Sequence, residues 1–428
     1  MCSSDLLGSA LELAVASGLE AEAAELREQA RRVFVLAGDR VRYLDERRAA
    51  GYYRRALELT PEGHPEHPEI LVRWSDAASD VGLIGFDEAR RGFERAIEAF
   101  RARGDHRRAA DAMARYSYPL WVHGEGARAL DLARRAVELL EREGPSHDLA
   151  SAWASLAPRL LFARQTRASL EAAERALELC RELDLPALAA RALQVRGMAR
   201  CDLNDLWGLE DLREALRAVR DLGLGAQPTT TAHINLSWWV WLTEGPLPAI
   251  RLHREAIAAW ERRGLGTHVW VRGELCWLLF DAGRWDELLE AAATVLDEEE
   301  RAGEAWQPGT MALTMRSFVD AHRGRAAEAL AGVAELAARA RRVEDSQILV
   351  PALTACAVVE HRGGRGAIGT LAELVERWPG LEPTWRAHHL ADLCRVAVAE
   401  GRPDIAARLC DGLEVVATRD RLSVLSAR

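Results

Sequence analysis

Apolar and polar positions along this chain follow a helical rhythm, and the rhythm itself repeats. Phe86 to Phe100 read FDEARRGFERAIEAF, Gly126 to Leu140 read GARALDLARRAVELL, and Thr166 to Cys180 read TRASLEAAERALELC. Ala89, Phe93, Ala96 and Phe100 are spaced 4, 3 and 4, which is one face of an α-helix. Alanines on that face let two helices approach closely, and the aromatic rings fill the space between them. A four-residue core recurs at Arg55–Glu58, Arg95–Glu98, Arg135–Glu138 and Arg175–Glu178. Its arginine and glutamate are three apart on the opposite face, where such a pair contributes about 0.2–0.5 kcal/mol in water. They read as a solvated face.

Aligned on Ala96, every second helix of the chain falls into register at Ala56, Ala96, Ala136, Ala176, Ala215, Ala256, Val295, Leu336, Leu374 and Gly412, at intervals of 38 to 41 residues. A fixed period of this size marks a stack of supersecondary units that bury their cores against one another. The spacing predicts an all-α, right-handed superhelical solenoid of about ten helical hairpins. Gly85, Gly245, Gly283, Gly324 and Gly401 fall where a helix must end in a left-handed residue inside a hairpin. Pro61, Pro65, Pro68, Pro145, Pro186 and Pro228 fall between units, ending one helix or starting the next. No stretch alternates as a strand would, and no linker is long enough to separate domains; the nearest candidates are Thr60 to Pro68 and Gly223 to Thr231. Met1 to Leu6, MCSSDL, fit no helix pattern, and CSSDL is also what a translated sequencing adaptor would encode. Residues 1–20 therefore read as a truncated or artefactual remnant, and residues 21–428 as the repeat array.

Aromatic residues add a second pattern. There are fourteen tryptophans, eight of them between Trp238 and Trp306. Counted back from the first small or apolar position of the following second helix, Trp270 is 18 before Leu288 and Trp74 is 15 before Ala89. Tyr118, Trp238, Trp277 and Phe318 are each 11 before Ala129, Ala249, Leu288 and Ala329, and Trp121 and Trp241 are 8 before Ala129 and Ala249. Offsets of 18, 15, 11 and 8 make one stripe of the first helix. Such a stripe either lines a binding groove for an apolar, planar or sugar-like ligand or a partner helix, or fills a wide core between helices. The groove reading makes Trp74, Tyr118, Trp121, Trp238, Trp241, Trp270, Trp277 and Phe318 the candidate site.

Composition narrows the chemistry. The formal net charge is −10, and all 56 basic side chains are arginine. An acidic chain lacks the basic stripe that nucleic acid requires. Without lysine there is no Schiff base and no phosphate-loop lysine. Seven cysteines are scattered with no CxxC pair, which suits small core residues in a reducing compartment and neither disulfides nor zinc. No run of apolar residues is long enough to cross a membrane and no secretory signal opens the chain, so a cytoplasmic location is expected. Gly364 to Gly369 match GxGxxG, but a helical segment precedes them where a dinucleotide site needs a strand; they read as a hairpin turn. No phosphate-loop, HExxH or GxSxG motif occurs, and His388-His389 and the other histidines show no ligand spacing. No cofactor, metal or catalytic set is expected. Ala338 to Arg342, ARARR, reads as a solvated face, and Asn235-Leu236-Ser237 as an unused glycosylation sequon.

Phe86-Asp87-Glu88-Ala89 and Trp285-Asp286-Glu287-Leu288 resemble the tetratricopeptide motif at the turn into its second helix, with Trp153 and Ala96 at further signature places. In tetratricopeptide hairpins the aromatic stripe of the first helix would face the concave groove. Leu36 to Pro68, LAGDRVRYLDERRAAGYYRRALELTPEGHPEHP, resemble the entry to the repeat region of large actinobacterial class III adenylate cyclases, in which a cyclase domain and an AAA/STAND-type ATPase precede the array. Arg196 to Leu216 and Phe280 to Glu287 resemble it too, and the likeness runs from Ala21 to Ala417. It implies a non-catalytic sensor or interaction module, the regulatory region of a signalling protein whose catalytic and nucleotide-binding domains lie upstream. Its partners would be a protein, a peptide or those upstream domains, with a small-molecule effector as a further expectation. The rival readings are the repeat region of a LuxR-type transcriptional activator and a pure assembly scaffold.

Overall fold

The computed structural model describes residues 3–42, 45–80, 83–123, 125–262, 269–303, 307–343, 345–413 and 418–427. Among them are twenty-two α-helices, one 3-10 turn at Trp378–Gly380, and no strand. The chain forms two compact units, Met1–Leu203 with Glu214–Pro228, and Asn204–Arg213 with Thr229–Arg428. The division falls close to the Gly223–Thr231 candidate linker, whereas Thr60–Pro68 lies inside the first unit.

Unit 1 opens with α1 (Ser3–Ala16). Ser3 to Leu6 are thus helical, contrary to the expectation from sequence; serine and aspartate are favoured at helix starts. Leu11 and Ala14 of α1 share a core with Phe34 and Tyr52. Hairpins follow: α2 (Glu20–Val41) with α3 (Glu46–Glu58), α4 (His67–Asp80) with α5 (Phe86–Ala102), α6 (His106–Val122) with α7 (Gly126–Glu141), and α8 (His147–Phe162) with α9 (Thr166–Glu182), then α10 (Pro186–Asp202). Among the first helices, α4 packs on α6, α6 on α8 and α8 on α10. The residues of α11 (Gly208–Asp221) are shared between the two units. Unit 2 continues with α12 (Ala226–Glu244), α13 (Pro246–Glu261), α14 (Val269–Asp281), α15 (Trp285–Ala302), α16 (Gln307–His322), α17 (Ala326–Arg341), α18 (Ser346–Arg362), α19 (Ile368–Arg377), α20 (Pro383–Ala399), α21 (Pro403–Cys410) and α22 (Thr418–Ala427). Here α14, α16, α18 and α20 succeed one another in the same way.

The register read from the sequence places the cores. Ala56, Ala96, Ala136, Ala176, Ala215, Ala256, Val295, Leu336 and Leu374 are all at most 2% exposed. Gly412 departs from the series: it lies beyond α21 in a turn, with φ of 62°, and Ile405 and Leu409 supply the buried positions of that short helix. Because Ala136 has helix on every side, Ala136→Trp should overpack its hairpin and cost about 1–3 kcal/mol. A urea midpoint equal to the parent's would show that α7 is not closely packed there.

Turn chemistry follows the sequence incompletely. Gly283 ends α14 at φ 69°, and Gly245, Gly324 and Gly401 also have positive φ. Gly85 does not: at φ −75° it is the extended residue that starts α5. Between α8 and α9 the left-handed position is held by Arg164, at φ 63°, so the absence of glycine there does not signal the absence of a turn.

Ion pairing also departs from the expected pattern. Arg175 pairs with Glu178 at 2.9 Å as the spacing predicts, but Arg95 reaches Glu62 at 2.7 Å instead of Glu98. In unit 1, Arg95–Glu62, Arg73–Asp39, Arg128–Glu94 and Arg107–Asp148 join residues 33 to 41 apart. In unit 2, Arg341–Glu373, Arg254–Glu287, Arg323–Asp286 and Arg339–Glu299 join residues 32 to 40 apart. A long arginine side chain reaches the neighbouring hairpin as readily as its own helical turn.

Candidate functional site

The first-helix face of unit 1 carries a polar crevice of about 550 Å³, lined by residues of α4, α6 and α8 and by Asp105. Most of its charges pair with one another, while Arg73 also reaches Asp39 and Arg115 also reaches Asp76 at 3.4 Å. Arg107 donates to Asp148 at 2.5 Å, Arg115 Nε donates to Asp111 at 2.9 Å, and Arg108 lies 3.5 Å from Glu69. Asp105 also caps α6 by accepting from the Arg108 backbone N–H. Burial raises the Asp111 carboxyl above its ordinary pKa, with the Arg115 charge opposing.

At the C-terminal ends of the same helices the surface turns aromatic. Trp121 is half-buried and stacks on Phe162, ring centres 4.3 Å apart, while Tyr118 lies 6.2 Å from Trp121. Tyr118 and Phe162 are 41% and 45% exposed. Trp74 stands apart from this group, half-buried against the cores formed with α3 and α5. Arg159 lies among Tyr118, Trp121 and Phe162. Arg159 belongs to no motif, although it stands as a lone charge in the run Leu149 to Phe162, LASAWASLAPRLLF.

In unit 2 the aromatic stripe assembles as the spacing requires, but not as an open wall. Trp241, Trp277 and Phe318 are buried, and Trp238 and Trp270 are half-buried. The covering rings come from α20. Trp385 lies 4.9 Å from Trp238 and 4.4 Å from Trp277, His388 lies 4.5 Å from Trp241, and His389 stacks on Phe318 at 5.9 Å. The Trp241 indole donates to Asp281 at 2.8 Å. Trp306 lies outside the described residues. Three of the candidate groove residues are therefore core of this unit.

Unit 2 also holds a relay that no motif announces, because its members are 16 and 21 residues apart. Ser237 Oγ lies 2.7 Å from His253 Nδ1, His253 Nε2 lies 3.2 Å from Glu274 Oε2, and the Trp270 indole donates to Glu274 Oε1 at 2.8 Å. The order is that of a nucleophile, a base and an orienting carboxylate. Ser237 is fully buried, however, and its Oγ is also 3.2 Å from the Ala249 carbonyl oxygen. A substrate carbonyl has no approach to it, so the relay joins α12, α13 and α14 as packing.

The remaining motifs resolve simply. Gly364 and Gly366 lie in the turn between α18 and α19 with positive φ. Ala338–Arg342 is not wholly solvated: Arg339 forms a buried pair with Glu299, and Arg341 grips Glu373. Cys180, Cys201, Cys276, Cys356 and Cys394 are buried and none of them is in a disulfide. Among the described residues no three His, Cys, Asp or Glu side chains are grouped to hold a metal, and no helix is long and apolar enough to cross a membrane.

No protein-family model matches the chain, and no curated protein matches it by sequence. Solved structures do. A Rap protein complexed with competence and sporulation factor is 14% identical, with a TM-score of 0.57 over 94% of this chain and 100% of that one. Yeast Tom70 is 11% identical, with a TM-score of 0.45 over 99% of this chain and 94% of that one. Aspartyl phosphate phosphatase F of Bacillus subtilis is 14% identical, with a TM-score of 0.45 over 85% of this chain and 96% of that one. The likeness to the Rap protein, with the helix order above, makes this an all-α helical-repeat fold of the tetratricopeptide kind.

Proposed function

We propose that the chain is a non-catalytic interaction module, the regulatory region of a signalling protein of the cyclase and ATPase type that its sequence resembles, and that unit 1 holds the partner. The observation that carries this reading is the 550 Å³ crevice on α4, α6 and α8. It is built from arginines and carboxylates that pair across it and, through Arg73 with Asp39 and Arg115 with Asp76, with carboxylates beside it, so a protein or peptide segment bearing both signs of charge can exchange pairs with it at little cost. The Rap structure, a complex with competence and sporulation factor, is an instance of this fold holding a ligand. Unit 2 favours the scaffold reading for its own share of the chain, since its aromatic stripe is spent on internal packing.

The test is calorimetric titration of the chain with the domains encoded upstream of it. Binding should weaken roughly tenfold when Arg107, half-exposed at the crevice, is replaced by glutamate, and should weaken with added salt because the Debye length falls to about 8 Å at physiological ionic strength. The chain alone should neither hydrolyse ATP nor form cyclic AMP. Turnover by the purified chain, or binding indifferent to both charge reversal and salt, would remove the reading.

A further inference from the structure

Arg159 on α8 is 5% exposed, and its Nε and Nη1 have no hydrogen-bond partner among the described residues. Its guanidinium carbon lies 5.1 Å from the Trp121 ring centre, 5.5 Å from that of Tyr118 and 6.0 Å from that of Phe162. No carboxylate pairs with it among the described residues. The neighbouring charge that acts on it most, that of Arg191 on α10, has the same sign. Burial first and Arg191 second push its pKa down to about 9, which leaves it cationic at neutral pH. Elsewhere in unit 1 arginines find acids within or one repeat away, as Arg73, Arg95, Arg107 and Arg128 do.

A buried cation without a counter-ion is costly, and aromatic faces offset only some of that cost. The cost falls when an anion arrives with a ligand. The rings beside Arg159 say what else that ligand carries, because Tyr118 and Phe162 leave apolar surface in water at the edge of the desolvated charge.

We propose that Arg159 is the anion subsite of unit 1 and takes a carboxylate carried on an apolar group, the carboxylate lying against the guanidinium and the apolar group against Tyr118 and Phe162. A planar carboxylate matches the donor fork of a single guanidinium. A phosphate dianion carries more charge and more oxygens than one guanidinium satisfies. The inference rests on the reading of unit 1 as the ligand-holding region of the module and names the chemistry that region selects. A peptide C-terminus with an apolar last residue and a small aromatic acid both supply that chemistry.

The experiment titrates the full chain, by calorimetry and tryptophan fluorescence, with phenylacetate and phenylacetamide, and with the peptide acetyl-Ala-Ala-Leu-Phe as free acid and as C-terminal amide. Each acid should bind at least tenfold more tightly than its amide. Arg159→Gln should abolish that preference while leaving the melting midpoint equal to or above the parent's, because an unpaired buried charge has been removed. Saturation by millimolar phenylacetate identifies a small organic acid as sufficient, whereas an acid preference confined to the peptide identifies a chain terminus. Equal binding of acid and amide, no binding of either acid at millimolar concentration, or an acid preference that survives Arg159→Gln overturns the proposal. The acid and amide comparison on the parent chain stands even where the variant folds poorly. Failure here, with upstream-domain binding still sensitive to Arg107→Glu, removes the subsite and leaves the module reading intact.

Discussion

Trp241→Ala is expected to lower the melting temperature of unit 2 by roughly 6–20 °C, the equivalent of about 3–5 kcal/mol in a body of this size. The indole is 3% exposed, packs edge-on to Trp238 at 5.3 Å and to His388 at 4.5 Å, and donates to Asp281. Truncation removes a large apolar surface and leaves a cavity that Trp238, Trp277 and Trp385 are too constrained to fill. Tyr118→Ala in unit 1, an exposed aromatic, should cost under about 1 kcal/mol by comparison. Differential scanning calorimetry separates the cases. A midpoint for Trp241→Ala close to that of Tyr118→Ala would mean that the rings of α12, α14 and α20 do not pack as a core, and the open-groove reading of the stripe would return.

The second large effect belongs to the Glu299–Arg339 pair. The two side chains are 8% and 14% exposed and meet at 2.5 Å, and Arg339 also holds Glu335 at 2.9 Å. Gly309 makes room for the carboxylate, since a β-carbon there would fall 1.8 Å from Glu299 Oε2. Glu299→Ala leaves the largely buried Arg339 guanidinium with only the exposed Glu335 carboxylate and should cost up to about 3–5 kcal/mol, whereas combining it with Arg339→Met should recover all but about 1–2 kcal/mol, because replacing both partners avoids the under-compensated charge. Urea denaturation of the two single variants and the double variant measures the coupling. Additive losses would show that the two side chains do not depend on each other.

What the sequence disclosed and what it withheld divide along physical lines. The close-contact alanines were legible because a small residue at fixed register is imposed by the approach of two backbones, and Ala96 and Ala136 declare it locally. The aromatic stripe was legible as a stripe for the same reason. Its coverage was not, because Trp385 and His388 come from a helix several hairpins further along, and periodicity within one helix carries no record of a distant neighbour. Arg95 was assigned to Glu98 because helical spacing offers that partner, while Glu62, which it reaches, belongs to the preceding segment. Arg159 fell outside every motif; its importance lies in a missing partner, and only the folded arrangement shows which partners are missing. The Ser237, His253 and Glu274 relay was invisible for the converse reason, being assembled from three helices by packing alone.

The reach of the arginines to partners roughly one period away has a consequence for how such a chain can change length. Arg95 meets Glu62 33 residues away and Arg341 meets Glu373 32 residues away, on a repeat of about 40. When the span of an interaction approximates the length of the unit, excising or duplicating one whole hairpin brings an equivalent neighbour to each cut end, so a cation on one side still finds an anion on the other. Contacts tied to particular partners, such as the rings that α20 sends to α12 and α14, have no such tolerance. Insertion and deletion of whole hairpins are thus buffered along the ladder of ion pairs in each unit and resisted across the aromatic centre of unit 2.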